Sequence, residues 1–574
     1  MKWIVAQTEP TGVASLAAAL GVSRPVTRVL CARGLSDVIA ARRFLAPSAR
    51  DLHDPFLLAG MEAAAQRLAC AIERKESILL YGDYDVDGTS ALVVLKKVLD
   101  LAGGIATCFV PHRIRDGYGM KSEAVEDAAA RGVKLIVSVD TGIRASEVVR
   151  HAAGLGIDVI VTDHHLPEAE LPPALAVLNP NRRDCNYPEK NLCGAGVALK
   201  LAEALMMTLR WEPARRERLV DSLLKLVAIA TVADVVPLTG ENRVIVKRGL
   251  AGLDRVANPG LRALLDVAGV EAGTAPSARQ VAFQIAPRIN AAGRMASASD
   301  IVDLFTTTDP ARARTIASQL DDLNKDRRST EEGIQQAILE QCLAQPVTDG
   351  DAALVFAGED WHRGVVGIVA SRVVERFHRP AFVLGLDQGI AYGSGRSIRA
   401  FHLLDALEAM PALFTKFGGH RQAAGVTLPA SQVEEFRAQF CAYAAARLTI
   451  ADFQAEIEID AEIAFEEITD QTVAELLDLA PFGCGNAAPT LVARGVEVAA
   501  APEIKNEKHI FLRLKSQGRV LRVKAWNFAE RAGEFAAGTR LDVALQFEED
   551  AYSAARGYAP WQMVVRDVQP AMRQ

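Results

Sequence analysis

Tyr81-Gly82-Asp83-Tyr84-Asp85-Val86-Asp87-Gly88-Thr89-Ser90 follows the apolar run Ile78-Leu79-Leu80 and precedes a periodic apolar stretch from Ala91 to Leu99. A strand, an acidic turn and a helix are the expected elements. Asp83, Asp85 and Asp87 alternate, so in extended chain their carboxylates face one way, while Gly88 allows a sharp turn and Thr89 is placed to cap the helix. Three converging carboxylates repel and raise each other's pKa unless a cation joins them, and magnesium or manganese, hard ions with oxygen ligands, suit them. A calcium EF-hand is excluded, because the twelfth loop position is Val94 instead of a bidentate Glu and a strand leads in. The remaining alternative is an acidic surface turn, and a buried strand ending in three aspartates argues against it.

The same pattern recurs. Leu135 to Val139 runs into Asp140-Thr141-Gly142, and Ile157 to Val161 into Asp163-His164-His165. Apolar runs alternating with helical stretches imply right-handed crossovers and a parallel sheet, which gathers all three turns on its carboxyl edge. A fourth segment, Leu223 to Leu238, is almost unbroken in its apolar character except for Asp234. A buried carboxylate needs a partner, and either metal ligation or backbone hydrogen bonding near a helix end would supply one.

The 574 residues exceed what one core can hold. Composition and turn signals suggest an N-terminal extension at 1–45, an α/β domain at 46–275, a connecting helical region at 276–345, a second α/β domain at 346–455 and a terminal β domain at 456–574. Eight cysteines without a C-x-x-C pair speak against a disulfide framework and a thiolate zinc site. No apolar run approaches a membrane span, and the first residues, with Glu9 and Pro10, lack a signal peptide's apolar core. We expect a cytoplasmic protein with no membrane partner. The net charge of −7 leaves nucleic-acid binding to local basic clusters.

Several such clusters exist. Pro287-Arg288-Ile289-Asn290-Ala291-Ala292-Gly293-Arg294 sets two arginines beside an expected turn, for phosphate or for structural ion pairs. From Asp309-Pro310 a long helix begins, with Ile316, Leu320, Ile334 and Ile338 on one face and Lys325, Arg327 and Arg328 expected in solvent. In the second α/β domain, the glycine-bearing pieces Gly393-Ser394-Gly395-Arg396-Ser397 and Gly418-Gly419-His420 are read as loops whose amides could meet an anion. Near the end, Ile510, Leu512 and Leu514 alternate, Gln517-Gly518 turns the chain, and Leu521, Val523 and Ala525 return. The outward set Arg513, Lys515, Arg522, Lys524 and Trp526 combines cations with an aromatic ring, either as a single-strand binding face or as a merely soluble one.

Asp85-Val86-Asp87-Gly88, Asp140-Thr141-Gly142, Asp163-His164-His165 and Asp234 together resemble, in order and completely, the four motifs of the DHH phosphoesterase superfamily. Gly418 to Gly425 resembles the signature of its companion substrate-binding domain, DHHA1. The chain length, Trp361 to Arg372, Pro111 to Gly119 and the β tail are similar to the superfamily's single-strand-specific 5′ to 3′ exonucleases. The resemblance implies a parallel-sheet DHH domain, a second α/β DHHA1 domain joined by a long helix, and a C-terminal β-barrel of OB type. It implies two Mn2+ or Mg2+ ions, one held by Asp83, Asp85 and Asp140, the other by Asp87, Asp140, His164 and Asp234. His165 would sit beside the scissile phosphate and Asp163 would orient the histidines.

Single-stranded DNA is the implied substrate, and a single-strand-binding protein and a helicase the implied partners, in DNA repair and recombination. Arg113, Ser394, Arg396 and Ser397 are the candidate pocket for a 5′ phosphate, with Arg288, Asn290, Arg294, Gly418, Gly419 and His420 as further substrate contacts. Two other readings are a DHH phosphodiesterase of short oligonucleotides or cyclic dinucleotides, which predicts a shorter chain, and a non-catalytic DNA-binding relative, which predicts eroded motifs.

Overall fold

The computed structural model describes residues 1–113 and 115–571. The chain forms two compact units, Asp54–Asp234 with Gly249–Ala455, and Met1–His53 with Val235–Arg248 and Glu456–Gln574.

In the first unit, five strands, β1 (Ser77–Tyr81), β2 (Ile105–Phe109), β3 (Val133–Val139), β4 (Asp158–Thr162) and β5 (Ala176–Leu178), form a parallel sheet in the order β2-β1-β3-β4-β5. The central strands are apolar on both faces, as a doubly covered parallel sheet requires. The register sets Tyr81 beside Ser138 and Val139 beside Thr162, so the turns that begin after these strands leave the same edge.

The first turn is built differently from its sequence expectation. β1 ends at Tyr81 and helix α1 spans Val86–Leu101, so Asp87, Gly88 and Thr89 are helical. The N-cap is Asp85, whose Oδ1 accepts from the amides of Asp87 and Gly88, an arrangement worth about 1 kcal/mol. Thr89 instead donates its hydroxyl to the Asp85 carbonyl at 2.6 Å. Gly88 is required by crowding: a Cβ there would lie 2.6 Å from the Asp83 nitrogen.

Helix α2 (Gly194–Thr208) packs on α1, and α3 (Pro213–Ala233) ends with Asp234 as its C-cap residue. The Arg288–Arg294 segment is no turn but helix α4 (Ala286–Met295), preceded by a π-helical turn at Val281–Ile285. Helix α5 (Pro310–Ala344) is the expected long helix. On it Arg327 is buried, against expectation, because Glu331 lies 2.7 Å away and Asn324 accepts a second bond.

The second sheet of this unit contains β6 (Leu354–Glu359), β7 (Ala381–Asp387), β8 (Ile390–Arg396), β9 (Lys416–Gly419) and β10 (Ala423–Pro429), in the order β9-β10-β8-β7-β6. Only β6 and β7 are parallel. The glycine pieces read as loops are therefore strands. β8 is paired on both sides, and a Cβ at Gly395 would strike the Phe382 ring at 2.5 Å, so these glycines admit neighbouring side chains instead of offering a free amide loop.

The second unit holds a closed five-stranded barrel of β11 (Leu491–Val498), β12 (His509–Ser516), β13 (Arg519–Ala525), β14 (Arg540–Glu549) and β15 (Trp561–Pro570). Ile510, Leu512, Leu514 and Val523 point into its core, and Gln517 and Gly518 both take positive φ in the hairpin turn. The same core contains Leu16, Val26, Val29, Leu30 and Ala41, and Lys2–Val5 pairs in parallel with Glu456–Ile459. Among the described residues no single helix is long and apolar enough to cross a membrane.

Candidate active site

The carboxyl edge of the first sheet brings Asp83, Asp85, Asp87, Asp140, His164, His165 and Asp234 together. Their ligand atoms form three overlapping groups, Asp83-Asp85-Asp140, Asp87-His164-Asp234 and Asp140-His164-His165, each with atoms within 4.8 Å of one another. His164 Nε2 lies 3.2 Å from Asp140 Oδ1, 3.7 Å from Asp234 Oδ2 and 3.8 Å from Asp87 Oδ2. Asp140 takes part in two groups and adopts a left-handed φ of 58°, a conformation that costs a non-glycine residue about 1 kcal/mol or more.

Backbone fixes the remaining atoms. Asp87 is gripped through both oxygens, Oδ2 by the Gly194 amide at 2.5 Å and Oδ1 by the Ala195 amide at 2.8 Å. Asp163 Oδ1 accepts from the amides of His164 and His165 and from His165 Nδ1 at 2.7 Å. Asp163 thus orients the ring of His165, while it reaches His164 only through backbone. With Nδ1 bound to Asp163, the free nitrogen of His165 is Nε2.

The electrostatics are those of a site built for cations. Burial, then the charge of Asp85, pushes Asp83 up to about 8, and burial, then Asp87 and Asp85, pushes Asp234 up to about 9. Asp140 is raised in the same direction by burial and by Asp87. Burial holds the His164 imidazole below its ordinary value, which favours the neutral, ligating form. Burial would also lower His165, but the hydrogen bond and charge of Asp163 outweigh it and raise the pKa. Four buried atoms at the centre, Asp83 Oδ1, Asp140 Oδ1, His164 Nε2 and Asp234 Oδ2, have no hydrogen-bond partner. An unpaired buried polar atom costs about 1–3 kcal/mol, and four spread over these overlapping groups fit divalent cations with oxygen and nitrogen ligands.

A second group of side chains lies in the same unit. Arg294 is partly buried, and its Nη1 donates to the Gly364 carbonyl at 2.9 Å. Burial, then Arg113, Arg327 and Arg396, pushes its pKa down to about 9. Arg396 donates to Ser394 Oγ at 3.0 Å, and the first turn of helix α6 (Val366–Phe377) is so close that a Cβ at Gly367 would lie 3.0 Å from the same oxygen. Arg113 stacks on Tyr84 at 4.9 Å. Among the described residues Arg113, Arg294 and Arg396 form no ion pair, and unpaired arginines this close to one another call for an anion. Ser397 is used internally, its hydroxyl donating to the Phe401 carbonyl at 2.9 Å. Arg288 is likewise engaged, with Asp321 at 2.9 Å, and Asn290 Oδ1 accepts from the Val86 amide.

Beyond His165 a cavity of about 630 Å³ is lined by Tyr118, Gly142, Arg144 and His420 among others. Tyr118 approaches His165 Nδ1 at 3.3 Å and the Asp140 carbonyl at 3.4 Å. Gly418 and Gly419 lie on the edge strand β9 that leads to His420. Sequence reasoning did not assign Tyr118, Arg144, Gly194 or Ala195. Tyr118 stood in the quoted Pro111–Gly119 stretch, Arg144 lies two residues beyond Asp140-Thr141-Gly142, and Cys193-Gly194-Ala195-Gly196, small residues opening a helix, was the available signal for Gly194 and Ala195.

A parallel sheet with these three acidic and histidine turns on one edge, joined by Asp234 from the end of α3 and followed by a mixed-sheet companion domain, defines a DHH phosphoesterase. The family models agree: the N-terminal domain of the DHH family matches residues 77–231, the DHHA1 domain 349–446 and the RecJ OB domain 459–567. The chain is 38% identical over 549 residues to the single-stranded-DNA-specific exonuclease RecJ of Bacillus subtilis, covering 95% of this chain and 68% of that protein. The crystal structure of Thermus thermophilus RecJ in complex with Mn2+ matches 100% of this chain and 80% of that one, with a TM-score of 0.85 and 31% identity. The Mg2+ complex of the same protein matches 100% of this chain and 79% of that one, with a TM-score of 0.79 and 29% identity. The chain belongs to the RecJ family.

Proposed function

We propose that this protein hydrolyses single-stranded DNA from its 5′ end with two manganese or magnesium ions. The observation that carries the reading is the convergence of four partnerless buried atoms from Asp83, Asp140, His164 and Asp234 on one sheet edge. Asp83, Asp85 and Asp140 would hold one ion and Asp87, Asp140, His164 and Asp234 the other, with Asp140 shared. When bound, such ions supply Lewis acidity toward the phosphodiester and make water a nucleophile near neutral pH.

The chain's own residues position the strand. His165, held by Asp163 through Nδ1, presents Nε2 to a phosphate oxygen or to the departing oxygen, and its raised pKa suits a proton donor. Arg113, Arg294, Arg396 and Ser394 would bind the terminal phosphate and so count the cut from the 5′ end. Arg144 and His420, lining the cavity on the far side of His165, would hold the rest of the strand. The barrel's exposed face, with Arg513, Lys515, Arg522 and Trp526, would bind longer strands by charge and stacking.

A helicase that exposes single strand and a single-strand-binding protein that coats it are the partners this activity calls for, in the cytoplasmic compartment where bacterial DNA is repaired and recombined. The barrel domain favours long strands over dinucleotides. The test is a gel assay with manganese on 5′-labelled single strands, duplexes and dinucleotides. Release of labelled mononucleotide from single strands is expected, and preference for duplex or dinucleotide would overturn the reading.

A further inference from the structure

We propose that the first turn of α2, Gly194-Ala195, is a positioning element of the metal centre, fixing Asp87 and setting how closely Asp140 can approach the ions. The inference rests on the metal site described above and goes beyond its ligands. Both oxygens of the fully buried Asp87 are occupied by two successive amides at the N-terminus of a 15-residue helix. Those amides have no partner within the helix and sit at the positive end of its dipole, so they favour the ionised carboxylate and leave it one orientation. Asp87 is therefore aimed before any ion arrives, with His164 and Asp234 beside it.

The same residue meets Asp140. A Cβ on Gly194 would lie 2.6 Å from Asp140 Cβ and 2.9 Å from its Oδ1, the oxygen that has no hydrogen-bond partner. Contacts that short are not tolerated, so any side chain at 194 displaces the shared carboxylate. Asp140 cannot yield by turning its backbone freely, since its φ of 58° and its amide bond to the Thr162 carbonyl hold it. Cys193, the N-cap residue, has its Sγ 3.5 Å from Thr231 Oγ1 and also reaches Asp87, adding a side-chain contact to the two amides. Gly196, two residues on, has no such duty: its Cβ would meet Leu192 Cδ2 at 3.3 Å, a flexible side-chain end.

Groups that hold a metal ligand in place typically alter metal affinity 10- to 100-fold. The test uses the full chain stripped with EDTA, titrated with Mn2+ and followed by the electron paramagnetic resonance of the free ion, with thermal unfolding in EDTA as the check of fold. Gly194→Ala should weaken Mn2+ binding by about tenfold or more. Gly196→Ala should bind as the unsubstituted protein does. Ala195→Pro removes one amide donor at a first-turn position that tolerates proline, and it decides the matter if Gly194→Ala does not fold. Its Mn2+ affinity should fall several-fold. Folded variants that bind Mn2+ within twofold of the parent, or an equal loss in Gly196→Ala, overturn this inference and leave the nuclease reading intact. A parent chain that binds no Mn2+ overturns both.

Discussion

Asn290 accepts the backbone N–H of Val86 at 3.2 Å, so the helix that carries Arg294 also holds the acidic turn. Three residues on, a Cβ at Gly293 would lie 2.4 Å from the Tyr84 carbonyl, and a Cβ at Gly364 would lie 2.6 Å from the Arg294 carbonyl. Helix α4 is wedged between the turn and the companion domain. Asn290→Ala should cost about 1 kcal/mol of stability, one hydrogen bond's worth, yet lower turnover by roughly tenfold by loosening the turn. Thermal melts and single-turnover rates at saturating manganese check this, and a rate within twofold of the parent would make the bond incidental.

Asp140 combines a shared ligand position with a left-handed backbone. Asparagine tolerates that conformation better than alanine. Asp140→Asn should keep the fold and single-strand binding while losing about 100-fold or more in turnover, and Asp140→Ala should in addition melt lower by about 1 kcal/mol. Residual activity above a few percent in either folded variant would remove Asp140 from its bridging role.

Without metal, Asp83 titrates near 8 and Asp234 near 9, against an ordinary value of 3.8. Between those values the folded chain holds protons that the unfolded chain has lost, so their contribution to stability is full below about pH 4 and disappears as pH rises through about 8–9. In EDTA the parent should therefore lose stability toward pH 9 more steeply than Asp83→Asn, which has no proton to give up. Manganese takes the protons' place, so its affinity should rise across the same window. Parallel melting curves for parent and variant would show that Asp83 is charged in the metal-free fold.

Arg396 donates to Ser394 in the arginine pocket and, among the described residues, forms no ion pair with a carboxylate. Arg396→Ala should reduce the preference for 5′-phosphorylated over 5′-hydroxyl strands by about tenfold, equivalent to one charge-assisted contact, with little change in metal binding. An unchanged ratio would move the end-reading pocket elsewhere, with Arg294 the next to substitute.

Cutting the chain at 455 would strip residues 1–53 of their core as well as removing the barrel. Surface changes are the cleaner test of the barrel's role. Arg513→Ala with Lys515→Ala should raise KM on long single strands, spare turnover on very short ones and flatten the salt dependence by about 0.7 per lost phosphate contact. Equal losses on short and long strands would mean that this face does not bind DNA.

The apolar runs that make β1, β3 and β4 were legible because strand formation there is local, and the aspartates that follow them converge because the register is set by the same runs. What sequence could not reveal was decided by neighbours far along the chain. Asp85 caps α1 where Thr89 was expected to, since the chain bends at Tyr84 and Asp85 and the helix starts at Val86, ahead of Thr89. The β8 glycines serve Phe382 and Leu384, which no local pattern discloses. Arg327 is buried because Glu331 and Asn324 lie on its own helix face. The Gly194 and Ala195 amides leave only the small residues at 193–196 as a trace in the sequence, as a backbone donor has no side chain to announce it.

The core shared by Leu16, Val26 and Leu30 with Leu512 and Val523 has a temporal meaning. During synthesis the stretch before His53 emerges first but cannot bury its apolar residues until more than four hundred further residues have been translated. Residues 54–234 and 249–455, which carry every candidate metal ligand, have their own cores and are free to fold in the meantime. The nuclease centre would thus be assembled on the ribosome while the three segments of the barrel unit are still apart, and its opening segment must wait, exposed, for the last strands to arrive.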